Sequence, residues 1–359
     1  SDAKSQVQET ALADLNQDGY PDLIGAGPSA VTVWINRGNA PDWVGFNSPV
    51  VYTSPARGSG DLVVFDADGD EFPDIAVTAW STGSSPYPWI DPGEESDFYV
   101  WHSQPDGTLQ LSDIQVEISP GATDIAAADF NRDGWEDLAI SYSPGSSTGD
   151  SGVLILSNAG ETGGFQPSLF IDLPSPQALG VIDADRNGAP DLIAVSWETG
   201  SGSSQGTGYL LLNAGTGDLM EVAHVPVGTF PQALAIADVT GDGYEDLLIG
   251  DSPGSSGETT GGAVIVVPVG SDLLFGQPIR VDLPLTPRAM ETADLNNDGL
   301  ADLIVIPQFQ PSNRIVVIDQ LPQPTPTVTP TDTATPSPSP TSTPTFTPSP
   351  TDTTTLTPT

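Results

Sequence analysis

Apolar residues in this chain arrive in short runs broken by polar turns, as in ALAIA (233–237), DLLIG (246–250), AVIVV (263–267) and PIRVDLP (278–284). None carries the 3.6-residue period of an amphipathic helix. Their length, their content of Val, Ile and Leu, and their Gly, Pro, Asp and Ser borders predict β-strands. The first two runs bracket a polar nonapeptide, DVTGDGYED (238–246), and a Gly/Ser-rich loop separates the second run from the third.

This order recurs along the chain. The nonapeptide has relatives in DLNQDGYPD (14–22), DADGDEFPD (66–74), DFNRDGWED (129–137), DADRNGAPD (183–191) and DLNNDGLAD (294–302), with successive starts 52, 63, 54, 55 and 56 residues apart. Six copies at a nearly constant period mean a repeat architecture. Four short strands per repeat predict an all-β fold, a β-propeller of about six visible four-stranded blades. Every nonapeptide then joins the first strand of its blade to the second, and all six turns emerge on one face. The loops between second and third strands emerge on the other.

Beyond Leu321 the pattern stops. The segment 322–359 is almost entirely Thr, Pro and Ser, too poor in apolar groups to build a core, and reads as an extended stalk or linker open to O-glycosylation. The expected division is a propeller over 1–321 and a Thr/Pro-rich stalk over 322–359.

Charge changes the picture of partners. Eight Lys and Arg against 48 Asp and Glu give a formal charge of −40, which repels nucleic acid and anionic lipid and favours metal ions or neutral ligands. The chain has no cysteine, which excludes disulfides and thiolate metal sites. No apolar run approaches the roughly 18 residues of a membrane span, so no membrane insertion is expected. The chain begins with Ser and reads as a processed or trimmed soluble product.

The nonapeptides hold 19 of the 48 acids at positions 1, 3, 5 and 9. In an Asp-x-Asp/Asn-x-Asp-Gly loop the side chains at 1, 3 and 5 turn toward one point, position 7 offers its carbonyl, and a later carboxylate closes a hard-oxygen shell suited to Ca²⁺. The helical EF-hand closes with Glu at position 12; here Asp at position 9 closes it between strands. The candidate ligand sets are Asp14, Asn16, Asp18, Tyr20 and Asp22; Asp66, Asp68, Asp70, Phe72 and Asp74; Asp129, Asn131, Asp133, Trp135 and Asp137; Asp183, Asp185, Asn187, Ala189 and Asp191; Asp238, Thr240, Asp242, Tyr244 and Asp246; and Asp294, Asn296, Asp298, Leu300 and Asp302. Up to six Ca²⁺ ions are expected. Glu71 at position 6, Asn187 at position 5 and Thr240 at position 3 depart from the ideal and rank their loops below the other three. The competing reading is a set of Asx-turns with no metal; the repeated Asp at position 9, past the turn proper, argues for metal.

These loops, with GAGP at 25–28, resemble the FG-GAP/VCBS type of calcium-loop propeller, the blade family of integrin α-chain heads, over about residues 9–320. The resemblance implies calcium on the first-to-second strand turns and a glycan or protein ligand on the opposite face. It names no particular ligand.

No GxSxG, HExxH or phosphate-cradling loop is present. His102 and His224 lie in apolar strand-like runs and read as structural. Nothing selects a glycosidase pair from the many carboxylates, so no enzyme is expected. The opposite-face loops carry aromatics, Trp80, Tyr87 and Trp89 beside Asp91, Glu94 and Glu95, then Tyr142 and Trp197. Such rings stack on sugars, or simply bury themselves at strand ends and between blades.

The sixth repeat has strands near 289–293, 301–306 and 314–319 and then runs into the stalk, so its fourth strand is missing. Gln8 stands six residues before Asp14 as Gln177 stands before Asp183, which places residues 1–8 in a link between blades. An unpaired edge invites another strand. Either upstream sequence is missing, as from a seven-bladed parent, or a neighbouring chain donates the strand and the protein self-assembles. The overall expectation is an extracellular calcium-binding propeller for adhesion or carbohydrate recognition. Its alternatives are a structural subunit of a filament or surface array, and an accessory domain of a polysaccharide-active enzyme.

Overall fold

The computed structural model describes residues 7, 9–27, 30–38, 45–53, 61–78, 98–112, 122–142, 151–160, 164–200, 203–252, 261–293, 301–307 and 316–318. Every regular element among them is a β-strand. The first blade comprises Glu9–Ala13 (β1), Asp22–Gly27 (β2), Ala30–Trp34 (β3) and Val50–Thr53 (β4); the second Leu62–Phe65 (β5), Asp74–Thr78 (β6), Phe98–Ser103 (β7) and Leu109–Leu111 (β8). The third comprises Ala122–Ala128 (β9), Asp137–Tyr142 (β10), Gly152–Asn158 (β11) and Phe165–Asp172 (β12); the fourth Pro176–Ile182 (β13), Asp191–Gly200 (β14), Ser203–Asn213 (β15) and Leu219–Pro226 (β16). The fifth holds Phe230–Ala237 (β17), Asp246–Ser252 (β18), Gly262–Val267 (β19) and Ile279–Leu283 (β20), and the sixth Pro287–Ala293 (β21), Asp302–Pro307 (β22) and Val316–Ile318 (β23).

Each blade is one antiparallel sheet in simple sequential order, four-stranded except for the sixth, of which three strands lie among the described residues. The fold is a six-bladed β-propeller. The stalk, including the 322–359 segment, lies outside the described residues.

Burial follows the position of each strand. The second strand of an interior blade is covered on both faces by neighbouring blades: every residue of β10 (DLAISY) is buried. The outermost strands have a solvent side and alternate, as in β12 (FQPSLFID), where buried or half-buried Phe165, Leu169 and Ile171 are separated by exposed residues.

Five hydrophobic clusters fill the contacts between successive blades. Ile24 and Val33 meet Ile75 and Trp101 between the first and second. Phe98 and Val100 meet Ile140 and Phe165 between the second and third, and Phe130 and Ile155 meet Leu192 and Leu211 between the third and fourth. Leu210 and Ile193 meet Leu247 and Ile265 next, and Leu248 and Val266 meet Leu303 and Val305 last.

The innermost strands β9, β13, β17 and β21 each carry a bulge, which leaves Thr123, Gln177, Gln232 and Arg288 unpaired in the ladder. All four line a central cavity of about 860 Å³, together with Glu9, Asp61, Asp124 and Glu291. Polar side chains here have water or one another as partners, which an interior sheet face would deny them.

Candidate metal centres

Five of the six nonapeptide loops lie among the described residues; residues 294–300 of the sixth, with Asp294, Asn296, Asp298 and Leu300, lie outside them. All five join the first strand of a blade to the second, and they share one construction. The position-1 carboxylate accepts the N–H of position 6: Asp14 from Gly19 (2.7 Å), Asp66 from Glu71 (3.0 Å), Asp129 from Gly134 (2.9 Å), Asp183 from Gly188 (3.0 Å) and Asp238 from Gly243 (2.8 Å). The position-5 side chain accepts the N–H of position 7, as Asp18 does from Tyr20 and Asp133 from Trp135, both at 3.0 Å. These bonds turn the side chains at 1, 3 and 5 into the concave side of the turn.

Two residues per loop adopt left-handed backbone. Position 6 does so in every case, at φ 86° in Gly19, 94° in Gly134 and 69° in Glu71. Glu71 therefore keeps the turn of the glycine it replaces, at a steric cost. Position 4 is left-handed as well, in Gln17 (φ 53°), Arg132 (60°) and Arg186 (57°), a requirement the Asp-x-Asp-x-Asp-Gly spacing does not reveal.

Position 9 has a second task. One oxygen of each Asp accepts an N–H from within its own loop, that of position 2 in four loops and that of Asn131 at position 3 in the third, and the other accepts an N–H from just past the third strand or its last residue: Asp22 from Leu15 (3.1 Å) and Asn36 (2.7 Å), Asp246 from Val239 and Val269 (both 3.0 Å). Asp74, Asp191 and Asp137 repeat this with Ser103, Asn213 and Asn158. These residues are buried, with Asp22, Asp137, Asp191 and Asp246 at 0% exposure. Burial pushes the carboxyls of Asp22, Asp137, Asp191 and Asp246 up against the pull of those N–H donors, Asp137 to about 6. The repeated Asp thus has a structural reason independent of metal, which removes its force as evidence for an ion; each oxygen retains a lone pair to offer one.

The donor set fits a hard cation. In the second loop, oxygens of Asp66, Asp68 and Asp70 lie within 4.8 Å of one another, and in the fourth loop so do those of Asp183, Asp185 and Asp191. These are two of the three loops with a departure from the ideal pattern. Asp68 is raised by burial and then by the charges of Asp74 and Asp70, the repulsion that a cation relieves. In the fifth loop, Thr240 Oγ1 at position 3 is buried with no hydrogen-bond partner. An unsatisfied hydroxyl oxygen at a ligand position is what a hard-metal shell employs.

His102, which the sequence assigns to a structural role, belongs to the second loop. Its Nδ1 lies 3.0 Å from Asp74 and 3.4 Å from Asp68, and Asp68, Asp74 and His102 form a further group compact enough to hold a metal. The hydrogen bond to Asp74 raises its pKa against the effect of burial. Nothing in its strand distinguishes it; only the register of β7 on β6 sets it beside the loop. His224 is an exposed residue of the outer strand β16, 2.8 Å from Glu221.

The loops are linked to one another. Gln17 donates to the Glu71 carbonyl (2.7 Å), Glu136 accepts from the Asp66 N–H (3.0 Å), Arg132 donates to the Asn187 carbonyl (2.8 Å), and Arg186 donates to the Gly243 carbonyl while lying 3.7 Å over the Tyr244 ring. Successive loops from the first to the fifth are thereby joined edge to edge on one face.

The aromatic candidates divide. Trp80, Tyr87 and Trp89 lie outside the described residues, as do Asp91, Glu94 and Glu95. Tyr142 is buried with its ring 5.6 Å from Phe170 of its own blade, and Trp197 lies 4.8 Å from Phe230 of the next.

A profile of the FG-GAP-like repeat family matches residues 14–77 and 183–249, each spanning a nonapeptide loop and strands around it. The chain carries FG-GAP-like repeats. A segment of 93 residues is 34% identical to integrin alpha-IIb of Mus musculus; the match covers 24% of this chain and 9% of the mouse protein. The FG-GAP-like chain is also similar to the crystal structure of the V. cholerae biofilm matrix protein Bap1, with a TM-score of 0.38 and 12% identity over 90% of this chain and 70% of that one. No helix among the described residues is long and apolar enough to cross a membrane.

Proposed function

We propose that this protein is an extracellular calcium-binding propeller that acts as a non-enzymatic adhesion or carbohydrate-recognition module, with up to six Ca²⁺ ions in its loops. The observation that carries the metal assignment is the five-fold repetition of one turn, with oxygens that converge in the second and fourth loops and the partnerless hydroxyl of Thr240 in the fifth. Asp and Asn side chains at positions 1, 3 and 5 and the position-7 carbonyl would hold the ion, and its charge would offset the crowding of carboxylates. Several surface loops of this kind suit roughly millimolar extracellular calcium. The integrin α segment and the Thr/Pro stalk support the same placement. The recognition face is assigned to the side opposite the loops, where Trp80, Tyr87 and Trp89 fall in sequence.

An ion that binds only the folded state raises stability by mass action. Calcium added after chelation is expected to raise the melting temperature markedly, magnesium less, and elemental analysis is expected to find several calcium ions per chain. Asp14→Ala, Asp133→Ala and Asp298→Ala each lose part of that shift. Unchanged melting with no bound metal would reduce the loops to Asx-turns. Binding to a glycan array in calcium, lost in chelator, tests the recognition role separately.

A further inference from the structure

The second blade brings a nitrogen donor to its loop. β7 pairs with β6 in a register that sets Trp101 against Ile75, so one step further His102 stands opposite Asp74, and directly opposed residues project from the same face of a sheet. Ile35, Ser157, Leu212 and Pro268 hold the same place opposite Asp22, Asp137, Asp191 and Asp246. Ile35 and Leu212 there pack against hydrophobic clusters between blades. Among the described residues only the second loop has an imidazole at this place.

The three side chains are spaced as ligands of one ion. His102 Nδ1 lies 3.0 Å from Asp74 Oδ2 and 3.4 Å from Asp68 Oδ2, and one donor atom from each residue falls within 4.8 Å of the other two. Two ligands about 2.1 Å from a common ion stand about 3.0 Å apart at a right angle and about 3.4 Å apart at the tetrahedral angle. Asp74 is held in place by the N–H groups of Ala67 (3.0 Å) and Ser103 (2.9 Å). Asp68 accepts the Asp70 N–H through Oδ1 (3.3 Å), which leaves Oδ2 as the oxygen that faces the imidazole. The His102 side chain is 20% exposed and that of Asp68 39%, so an ion reaches the group from solvent.

The fourth loop supplies the contrast. Its compact group is Asp183, Asp185 and Asp191, from positions 1, 3 and 9 and oxygen throughout. In the second loop positions 3 and 9 are joined instead by His102. Carboxylate and carbonyl oxygens suit Ca²⁺ and Mg²⁺, whereas an imidazole nitrogen suits zinc, copper, nickel and iron. We propose that Asp68, Asp74 and His102 form a site for a first-row transition-metal dication of the zinc type, which sets the second loop apart in metal preference from the oxygen-only loops. The site rests on the reading of the loops as metal centres and changes the ion of this one.

Zinc titrated against a chromophoric chelator, with calcium held at saturating millimolar concentration, tests the site. One zinc ion per chain is expected to bind about tenfold or more tightly than any further one. His102→Leu installs the residue of the equivalent place in the fourth blade and is expected to abolish that tight site while keeping the calcium-induced rise in melting temperature. His224→Gln, at the exposed and only other histidine, is expected to keep both. Absence of a tight zinc site in the wild type, or its survival in His102→Leu, overturns the proposal. If calcium still binds, that result leaves the other loops as metal centres; a chain that binds neither metal overturns both readings. Nitrogen-15 spectra of the imidazoles decide the matter even if His102→Leu fails to fold, with His224→Gln assigning the signals. Zinc in excess calcium is expected to shift Nδ1 of His102 and leave the ring of His224 in place, and an unmoved His102 overturns the proposal.

Discussion

The carboxylates of a single loop differ in what they are for. Asp246 is buried and holds the N–H groups of Val239 and Val269, whereas Asp242 lies in the exposed part of the turn and accepts from Tyr244. Losing Asp246 strands two buried donors at about 1–3 kcal/mol each. Asp246→Ala is therefore expected to destabilise the protein by about 2–5 kcal/mol in chelator and in calcium alike. Asp242→Ala is expected to be nearly silent in chelator and to reduce the calcium-induced shift; urea unfolding in both conditions separates the two roles. Glu71 makes the opposite case, a side chain at φ 69° where the other described loops have glycine. Glu71→Gly is expected to stabilise the chelated protein by about 1 kcal/mol, from relief of left-handed strain. A loss of stability in the same unfolding experiment would mean that the Glu71 side chain contributes more than its backbone costs.

Between elements, coupling runs through side chains that leave their own loop. The Trp135 ring, at position 7 of the third loop, is wedged between Gly69 of the second loop and Gly160 beyond β11. A Cβ at Gly69 would fall 2.5 Å from the ring, and one at Gly160 2.9 Å from it, so both glycines leave room for the indole. Gly69 also has φ 77°. Gly69→Ala is expected to cost about 2–3 kcal/mol, from overpacking and backbone strain together. It should also shift the tryptophan emission, which a purely local change in the second loop would leave alone. The same register effect brings His102 to the second loop: neighbouring strands, not neighbouring residues, complete that group.

For the whole molecule the channel sets a pH dependence. Burial, then the charge of Asp61, pushes Glu9 up to about 7, with Arg288 opposing. Asp61 is raised well above its usual range by burial and then by the charge of Asp124 beside it, and burial raises Asp124 as well. Glu291 is raised in the same direction. A carboxyl with a raised folded pKa binds its proton more tightly in the folded chain. Its contribution is fully favourable below about pH 4.5, the unfolded value, and is lost as pH rises through about 7. For Glu9 the span corresponds to roughly 3 kcal/mol. With calcium held saturating, Glu9→Gln is expected to flatten the fall in melting temperature between pH 5 and 8. An identical profile in the variant would assign that fall to the other channel acids.

The sequence by itself determined the strand order, the six-fold repeat and the placement of each loop between first and second strands, because strand periodicity and turn chemistry are local and were written six times over. It also named the residues that turn inward at positions 1, 3 and 5. What it did not contain were relations between blades. That position 9 clasps the third strand, that position 4 is left-handed so that Gln17, Arg132 and Arg186 can reach the next loop, that His102 faces Asp74, and that Asp61 and Asp124 meet in the channel all depend on residues dozens of positions apart. Leu12 is an ordinary strand residue in any window of sequence, and only the packing of the blades shows that it is 64% exposed where its counterparts Val64, Ala127, Val181 and Ile236 pack against the preceding blade, because burial between blades is decided by residues far apart in the chain.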